Sequence, residues 1–134
     1  MDNNFRKRLC KGRSRKDKKE LEELIEQREV INAVDRFGNT ELIKASQNGQ
    51  LIMVEMLINI GADINKKNSN GLTALMMASQ NGHLNVVEML INKGANINAV
   101  DNDGLTVLMM ASINGYLNVV DELINKGGYA WQKV

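Results

Sequence analysis

The chain has 134 residues, of which 43% are hydrophobic, 25% charged and 4% aromatic, so it has the length of one domain with an aliphatic core. Its net charge is +1, and its single cysteine excludes a disulfide framework or a cysteine-based metal site within one chain. No apolar run approaches the roughly 18 residues of a membrane-spanning helix, and the charged N-terminus does not contain the apolar stretch of a secretory signal. We therefore expect an intracellular, cytoplasmic protein without a transmembrane segment.

The N-terminal segment is strongly basic. Residues 1–19 carry nine basic and two acidic side chains, a balance of 9 − 2 = +7, and the remaining residues carry 8 basic and 14 acidic ones, a balance of 8 − 14 = −6. We predict a disordered arm over 1–16, because so charged a segment buries too little apolar surface to offset the entropy of ordering it. The arm is either a solvated tail, a contact for nucleic acid, an anionic surface or an acidic partner, or a nuclear-import signal. The basic residues assigned to the arm and its junction with the next segment are Arg6, Lys7, Arg8, Lys11, Arg13, Arg15, Lys16, Lys18 and Lys19.

Residues 17–34 have the pattern of half a repeat. Leu21, Leu24 and Ile25 follow helical spacing and align with the second helix of the units that come next, and Arg28 stands where those units have a glycine. The acidic side chains in this segment are interpreted as an outer, solvated face; they are Glu20, Glu22, Glu23 and Glu26. We predict an N-terminal capping half repeat.

From residue 35 onwards the sequence repeats every 33 residues. The step relates Gly38, Gly71 and Gly104, and it relates five further sets in the same way. Those sets are Thr40, Thr73 and Thr106; Ala45, Ala78 and Ala111; Gly49, Gly82 and Gly115; Leu57, Leu90 and Leu123; and Gly61, Gly94 and Gly127. Six positions in register define three units, 35–67, 68–100 and a truncated third unit over 101–128.

Each unit has the pattern of two short helices and a loop. In the first unit Thr40 stands at an N-cap position before a helix predicted over 41–48, and a second helix is predicted over 51–59. Gly49 and Gly61 follow these helices, at places suited to a left-handed residue. Asp/Asn-x-x-Gly sequences predict a tight turn at the tip of each loop. Because one helix pair cannot bury its apolar stripe alone, we expect the units to stack.

The third unit is followed by a C-terminal tail over 129–134. Val107, Met109, Met110 and Ile113 are as apolar as an internal repeat, and no polar element closes the stack. Three interpretations stay open. The tail folds back over that end with its apolar residues, the reading frame was shortened, or the end stacks against another chain.

The second unit closely resembles the ankyrin repeat family. The resemblance lies in Gly-Leu-Thr-Ala-Leu-Met-Met-Ala over 71–78, Asn-Gly-His-Leu-Asn-Val-Val-Glu-Met-Leu over 81–90 and Gly-Ala-Asn-Ile-Asn over 94–98. It covers about residues 20–128. It implies an all-α ankyrin-repeat solenoid of helix-turn-helix units with hairpin-like loops, made of three full repeats plus an N-terminal half repeat.

Two departures from the family pattern stand near the helix starts. The family usually has Pro after the threonine, where this chain has Glu41, Ala74 and Val107. It usually has His two residues later, where this chain has Ile43, Met76 and Met109. Losing that His removes a polar link between neighbouring loops, and we expect Met to replace it with softer packing.

No residues have the pattern of an active site. His83 is the only histidine and is interpreted as a surface turn residue, and Cys10 has no recurring His or acidic companion. The paired methionines of the second and third units are interpreted as core residues rather than as a soft metal site or a promiscuous binding groove. We expect a protein that is not an enzyme and uses no cofactor or metal.

The family resemblance implies that partners are held by the loop tips and by the exposed side of the first helices, on a concave face. At the loop tips, the positions of Arg36 and Phe37 carry a different residue in each of the three units, as a recognition surface requires. Four residues of this face (Phe37, Leu72, Leu105 and Ile113) are large and apolar, and we expect them to face solvent and to mark a contact site. The alternative, chiefly for Leu72 and Leu105, is that they pack on neighbouring loops. The predicted binding surface consists of Arg36, Phe37, Asn39, Gln47, Asn48, Ser69, Asn70, Leu72, Gln80, Asn81, Asn102, Asp103, Leu105, Ile113 and Asn114.

These observations favour a scaffold or adaptor that binds an unidentified partner protein through the predicted binding surface. The alternative is a protein that binds nucleic acid or another anionic surface through the basic arm, with the repeats as a carrier. The affinity of binding through the arm should fall steeply as ionic strength rises, whereas the affinity of binding through the predicted binding surface should not. A third hypothesis, an effector that an intracellular microbe sends into a host, depends on family analogy alone.

Overall fold

The computed structural model describes residues 29–128, which contain six complete helices. They are α1 (Glu41–Gln47), α2 (Leu51–Asn59), α3 (Ala74–Gln80), α4 (Leu84–Asn92), α5 (Val107–Ile113) and α6 (Leu117–Asn125). Residues 29–31 are also helical, and within 29–128 there is no strand beyond one isolated bridge between Val100 and Thr106. The predicted all-α class is confirmed. The arm over 1–16, most of the half repeat over 17–34 and the tail over 129–134 lie outside the described residues.

The first helix of every unit begins at a buried threonine. The Thr40 hydroxyl accepts the backbone N–H of Ile43 at 3.1 Å, and the threonines of the other two units make the same bond. The helix predicted over 41–48 is one residue too long, because Asn48 is the C-cap of α1. Gly49 follows with a φ of 70°, in the left-handed region, which glycine adopts without a steric penalty. A residue in this conformation ends the helix. The second helix predicted over 51–59 matches α2.

The six helices form two layers. α1, α3 and α5 pack in order in one layer, and α2, α4 and α6 pack in order in the other. Ala45, Ala78 and Ala111 are buried, and their small side chains let neighbouring first helices lie close together. The core is one aliphatic cluster that runs along the whole described stack. Each unit is therefore stabilised by its neighbours.

Neighbouring loop tips are joined by backbone hydrogen bonds. The N–H of Ser69 donates to the carbonyl of Phe37, and the N–H of Asn102 donates to the carbonyl of Asn70, both at 3.0 Å. These bonds hold the three tips beside the first-helix layer in a fixed order. Within the described residues, none of the helices is long and apolar enough to cross a membrane.

Candidate functional site

The first loop tip is fixed by Asp35. Its Oδ1 accepts the N–H of Phe37 at 2.8 Å and the N–H of Asn39 at 2.9 Å, and its carbonyl accepts the N–H of Gly38 at 2.9 Å. The Phe37 ring is 59% exposed, and the guanidinium carbon of Arg36 lies 5.0 Å from the ring centroid. A well-held turn therefore presents an aromatic ring and a cation together at the surface.

The pKa of Asp35 lies below its ordinary value of 3.8. The main cause is the backbone N–H of Asn39, which donates to the carboxylate. Partial burial acts in the opposite direction, while the N–H of Phe37 and the ammonium of Lys44, 3.6 Å from Oδ2, lower the pKa further. The acceptor that holds the first tip is thus ionised at neutral pH.

An open groove of about 450 Å³ lies between the loop tips and first helices of the second and third units. It combines aliphatic side chains with amides and two carboxylates, and no lysine or arginine lines it. Seven of its nine lining residues belong to the predicted binding surface, and Asp101 and Met110 are the two that do not. The lining residues are Asn70, Leu72, Gln80, Asp101, Asp103, Leu105, Met110, Ile113 and Asn114.

Twelve of the fifteen residues of the predicted binding surface are exposed, and Asn39, Leu72 and Leu105 are half-buried. Leu72 and Leu105 are exposed only in part, because each packs one side against the aliphatic core. Asn68 Oδ1 accepts the N–H of Leu72, and Asp101 Oδ1 accepts the N–H of Leu105. These bonds direct the backbone back towards the first helix of the repeat, which begins two residues after the leucine. Phe37 and Ile113, which is 70% exposed, remain the large apolar residues that the surface presents to solvent.

Several amides of the predicted binding surface also hold that surface together. Asn68 Nδ2 donates to Asn39 Oδ1 at 2.9 Å, and Asn114 Nδ2 donates to the carbonyl of Gln80 at 3.2 Å. Asn102 Nδ2 likewise donates to the carbonyl of the preceding tip at 2.9 Å. The repeated asparagines are therefore links between units as well as exposed polar groups.

The chemistry of the groove suits non-covalent recognition of a polypeptide. Amide groups such as Gln80 both donate and accept hydrogen bonds, which matches the main chain of a partner. Ile113 and the edges of the leucines offer apolar area beside them. In the part of the chain that the structure describes, no group of three His, Cys, Asp or Glu side chains is placed to hold a metal ion.

Comparison with known families decides the class of this stack. A family model described as ankyrin repeats (3 copies) matches residues 42–133, well over half of the chain. The chain belongs to the ankyrin repeat family. A second model, described as ankyrin repeats (many copies), matches residues 8–58. Ankyrin repeats in general are non-enzymatic modules for protein–protein interaction.

One curated relative is the ankyrin repeat protein L38 of Acanthamoeba polyphaga mimivirus, which is 53% identical over 36 residues. The aligned segment covers 27% of this chain and 19% of that protein. The match therefore spans about a fifth of the length of the relative, and it supports the repeat assignment without extending to the rest of that protein.

In this ankyrin repeat protein, the methionines at the usual histidine position make a polar contact that the sequence analysis did not foresee. Met76 Sδ accepts the N–H of Thr73 at 3.4 Å, while the Thr73 hydroxyl accepts the N–H of Met76 at 3.2 Å. Met109 and Thr106 repeat this reciprocal arrangement. A thioether is a weak acceptor, so each methionine supplies a capping box as well as buried volume.

Proposed function

We propose that this ankyrin repeat protein is a non-enzymatic scaffold or adaptor that binds a partner protein through the predicted binding surface. The observation that carries the proposal is the groove between the second and third repeats, which is lined mainly by residues of that surface. The general role of ankyrin repeats supports the same conclusion. The compartment in which we place this interaction is the cytoplasm.

The groove favours a partner segment with an aliphatic side chain and a nearby positive charge. Ile113 supplies exposed apolar area at one side of the groove, and such an area gains free energy when a partner covers it. Asp101 and Asp103 lie in the same lining, and no lysine or arginine lines the groove to offset them. Electrostatic complementarity therefore favours Lys or Arg on the partner.

The first loop tip extends the same surface away from the groove. Phe37 is an exposed aromatic residue on a turn held by three hydrogen bonds, so little entropy is lost when it enters a pocket of the partner. Aromatic residues of this kind are frequent among the side chains that dominate binding energy. We assign Phe37 and Ile113 as the two apolar anchors of the surface.

Exposed isoleucines on different surfaces provide a matched experiment. Ile113 is 70% exposed on the proposed surface, and Ile52 is 72% exposed on α2, outside it. Serine at either position should leave the fold unchanged. Capture from source cells, followed by quantitative mass spectrometry, should recover the partner with wild type and with Ile52→Ser.

The combined change Phe37→Ser and Ile113→Ser should reduce recovery of that partner at least tenfold, as expected for anchors worth about 2 kcal/mol. Loss of the partner with Ile52→Ser but not with the double variant would place the binding surface on the second-helix layer. Circular dichroism of all three variants controls for unfolding.

A further inference from the structure

The third repeat is exposed at positions that are covered in the first two repeats. Ser46 and Ser79 are fully buried, whereas Ser112, 33 residues after Ser79, is exposed. Leu84 of α4 is half-buried, whereas its counterpart Leu117 of α6 is 73% exposed. Three further positions lose burial in the same way; Met109, Val120 and Ile124 are each more exposed than Met76, Val87 and Ile91.

The cause is the order of stacking. α5 packs on α3 and α6 packs on α4, and within residues 29–128 no element packs on the far side of α5 and α6. The glycines after the first helices also show that the third repeat is not covered by a following one within residues 29–128. A Cβ on Gly49 would meet the His83 ring of the next repeat, whereas a Cβ on Gly115 would meet nothing within 4 Å. We call Met109, Ser112, Leu117, Val120 and Ile124 the C-terminal end face. It shares no residue with the predicted binding surface, and none of its side chains is charged.

The tail starts beside this face. The last described residue, Gly128, donates its N–H to the carbonyl of Leu123 at 2.7 Å, at the end of α6. Six extended residues reach roughly 20 Å, whereas α6, with nine residues, is about 14 Å long. Residues 129–134 are therefore long enough to reach every residue of α6 that the end face contains.

The sequence of the tail also differs from that of the second repeat at two loop positions. Asn96 and Asn98 stand in the loop that leads from the second repeat to the third, and the N–H of Asn96 donates to the Asn65 side chain at 2.7 Å. The counterparts of Asn96 and Asn98, 33 residues later, are Tyr129 and Trp131. Large aromatic residues thus take the place of loop-forming amides in the sequence that directly follows α6, and aromatic side chains bury more area than any others.

We propose that residues 129–134 cover the α6 part of the C-terminal end face, with Trp131 packed on Leu117, Val120 and Ile124. A second copy of the chain is the competing occupant. The tail is favoured because it is attached at the edge of the face, which gives it an effective concentration in the millimolar range. Covering the face removes the exposed leucine and isoleucine from water, a gain in proportion to the apolar area buried.

The single tryptophan of the chain makes a direct test possible, because its fluorescence comes from Trp131 alone. In the full chain we expect an emission maximum at shorter wavelength than that of N-acetyltryptophanamide, and acrylamide quenching several-fold weaker. Both properties should be the same across a hundredfold range of protein concentration. An emission maximum and quenching equal to those of the free amide would overturn the proposal, and burial that appears only at high concentration would assign the face to a second copy.

Two variants test whether the end face is the place of burial. Leu117→Asp combined with Ile124→Asp should shift the emission towards that of the free amide, and the control Ile52→Asp, at an isoleucine as exposed as Leu117, should not. An unchanged emission in the double variant, with the helical circular dichroism retained, would show that Trp131 packs elsewhere. As a second measurement, Leu117→Asp should lower the melting temperature of the full chain by a few degrees and leave that of a chain without 129–134 unchanged; equal effects in both backgrounds would contradict the proposal.

Discussion

The Nε2 atom of His83 lies 2.9 Å from the backbone oxygen of Gln47, so one imidazole connects the second repeat to the last residue of α1. A carbonyl only accepts, so Nε2 carries the proton in this contact. The same ring covers Gly49, and the Tyr116 ring covers Gly82 in the corresponding place of the next interface. The sequence alone indicates a surface turn residue at position 83, whereas the structure shows that the imidazole of His83 links two repeats.

Two substitutions at His83 separate its packing from its hydrogen bond. His83→Phe keeps a ring over Gly49 and removes the donor, so the free energy of unfolding should fall by about 0.5–1.5 kcal/mol. His83→Ala removes both and should cost more. Urea unfolding with equal slopes for all variants checks this result, and wild-type stability in His83→Phe would show that the bond to Gln47 contributes nothing.

Gly49 and Gly115 form a matched pair for testing the contact between repeats. Their φ angles are 70° and 77°, so alanine at either position costs about 1–2 kcal/mol of backbone strain. At Gly49 the added Cβ would also lie 2.6 Å from His83 Nδ1, whereas at Gly115 it meets nothing within 4 Å. Gly49→Ala should therefore destabilise the protein by at least about 1 kcal/mol more than Gly115→Ala. Equal losses in thermal unfolding would mean that the ring moves aside freely.

The buried serine hydroxyls are predicted to be a cost to stability. Ser79 Oγ is buried and has no hydrogen-bond partner among residues 29–128, and an unsatisfied buried polar group costs about 1–3 kcal/mol. Ser79→Ala should therefore raise the free energy of unfolding. Ser112→Ala, at the equivalent exposed position, should change it by less than about 0.5 kcal/mol. Destabilisation by Ser79→Ala in urea unfolding would reveal a hydrogen bond of that hydroxyl in solution.

Asp35 gives the first loop tip a dependence on pH. Because its pKa is lower in the folded protein than its ordinary value, its contribution to stability is present above that ordinary value and is lost as the pH falls through the lowered folded pKa. Asp35→Asn keeps an Oδ1 acceptor, as Asn68 does in the second repeat with bonds of 2.9 Å to two backbone N–H groups. Stability measured from pH 7 down to about pH 3 should fall less steeply in Asp35→Asn than in wild type. Parallel pH curves would contradict this assignment.

The sequence predicted the parts of the fold that depend on local chemistry. Threonine caps and helix-ending glycines depend on backbone geometry within a few residues. The roles of Thr40 and Gly49 and the bounds of α2 could therefore be predicted from the sequence. Burial of Leu72 and the bond from His83 to Gln47 depend on how side chains point between units. A 33-residue period gives the order of the units but not those directions.

The lining of the groove likewise contains residues that the sequence indicates and residues that it does not. Seven of its lining residues belong to the predicted binding surface, because the loop tips and first helices lie on one side of every repeat. Asp101 was interpreted only as the first residue of a turn, yet it also lines the groove. A residue that serves a turn and a surface at once has no separate signal in a single sequence.

The most direct test of the central claim is the dissociation constant of the captured partner, measured by calorimetry at two salt concentrations for wild type, for Phe37→Ser with Ile113→Ser, and for a chain without residues 1–15. If the predicted binding surface holds the partner, the double substitution should raise the dissociation constant at least tenfold, about 1.4 kcal/mol. Deleting the basic segment and raising the salt concentration should each change it little. An unchanged constant in the double variant, with affinity that falls steeply with salt and is lost without residues 1–15, would contradict the account and assign binding to the basic arm.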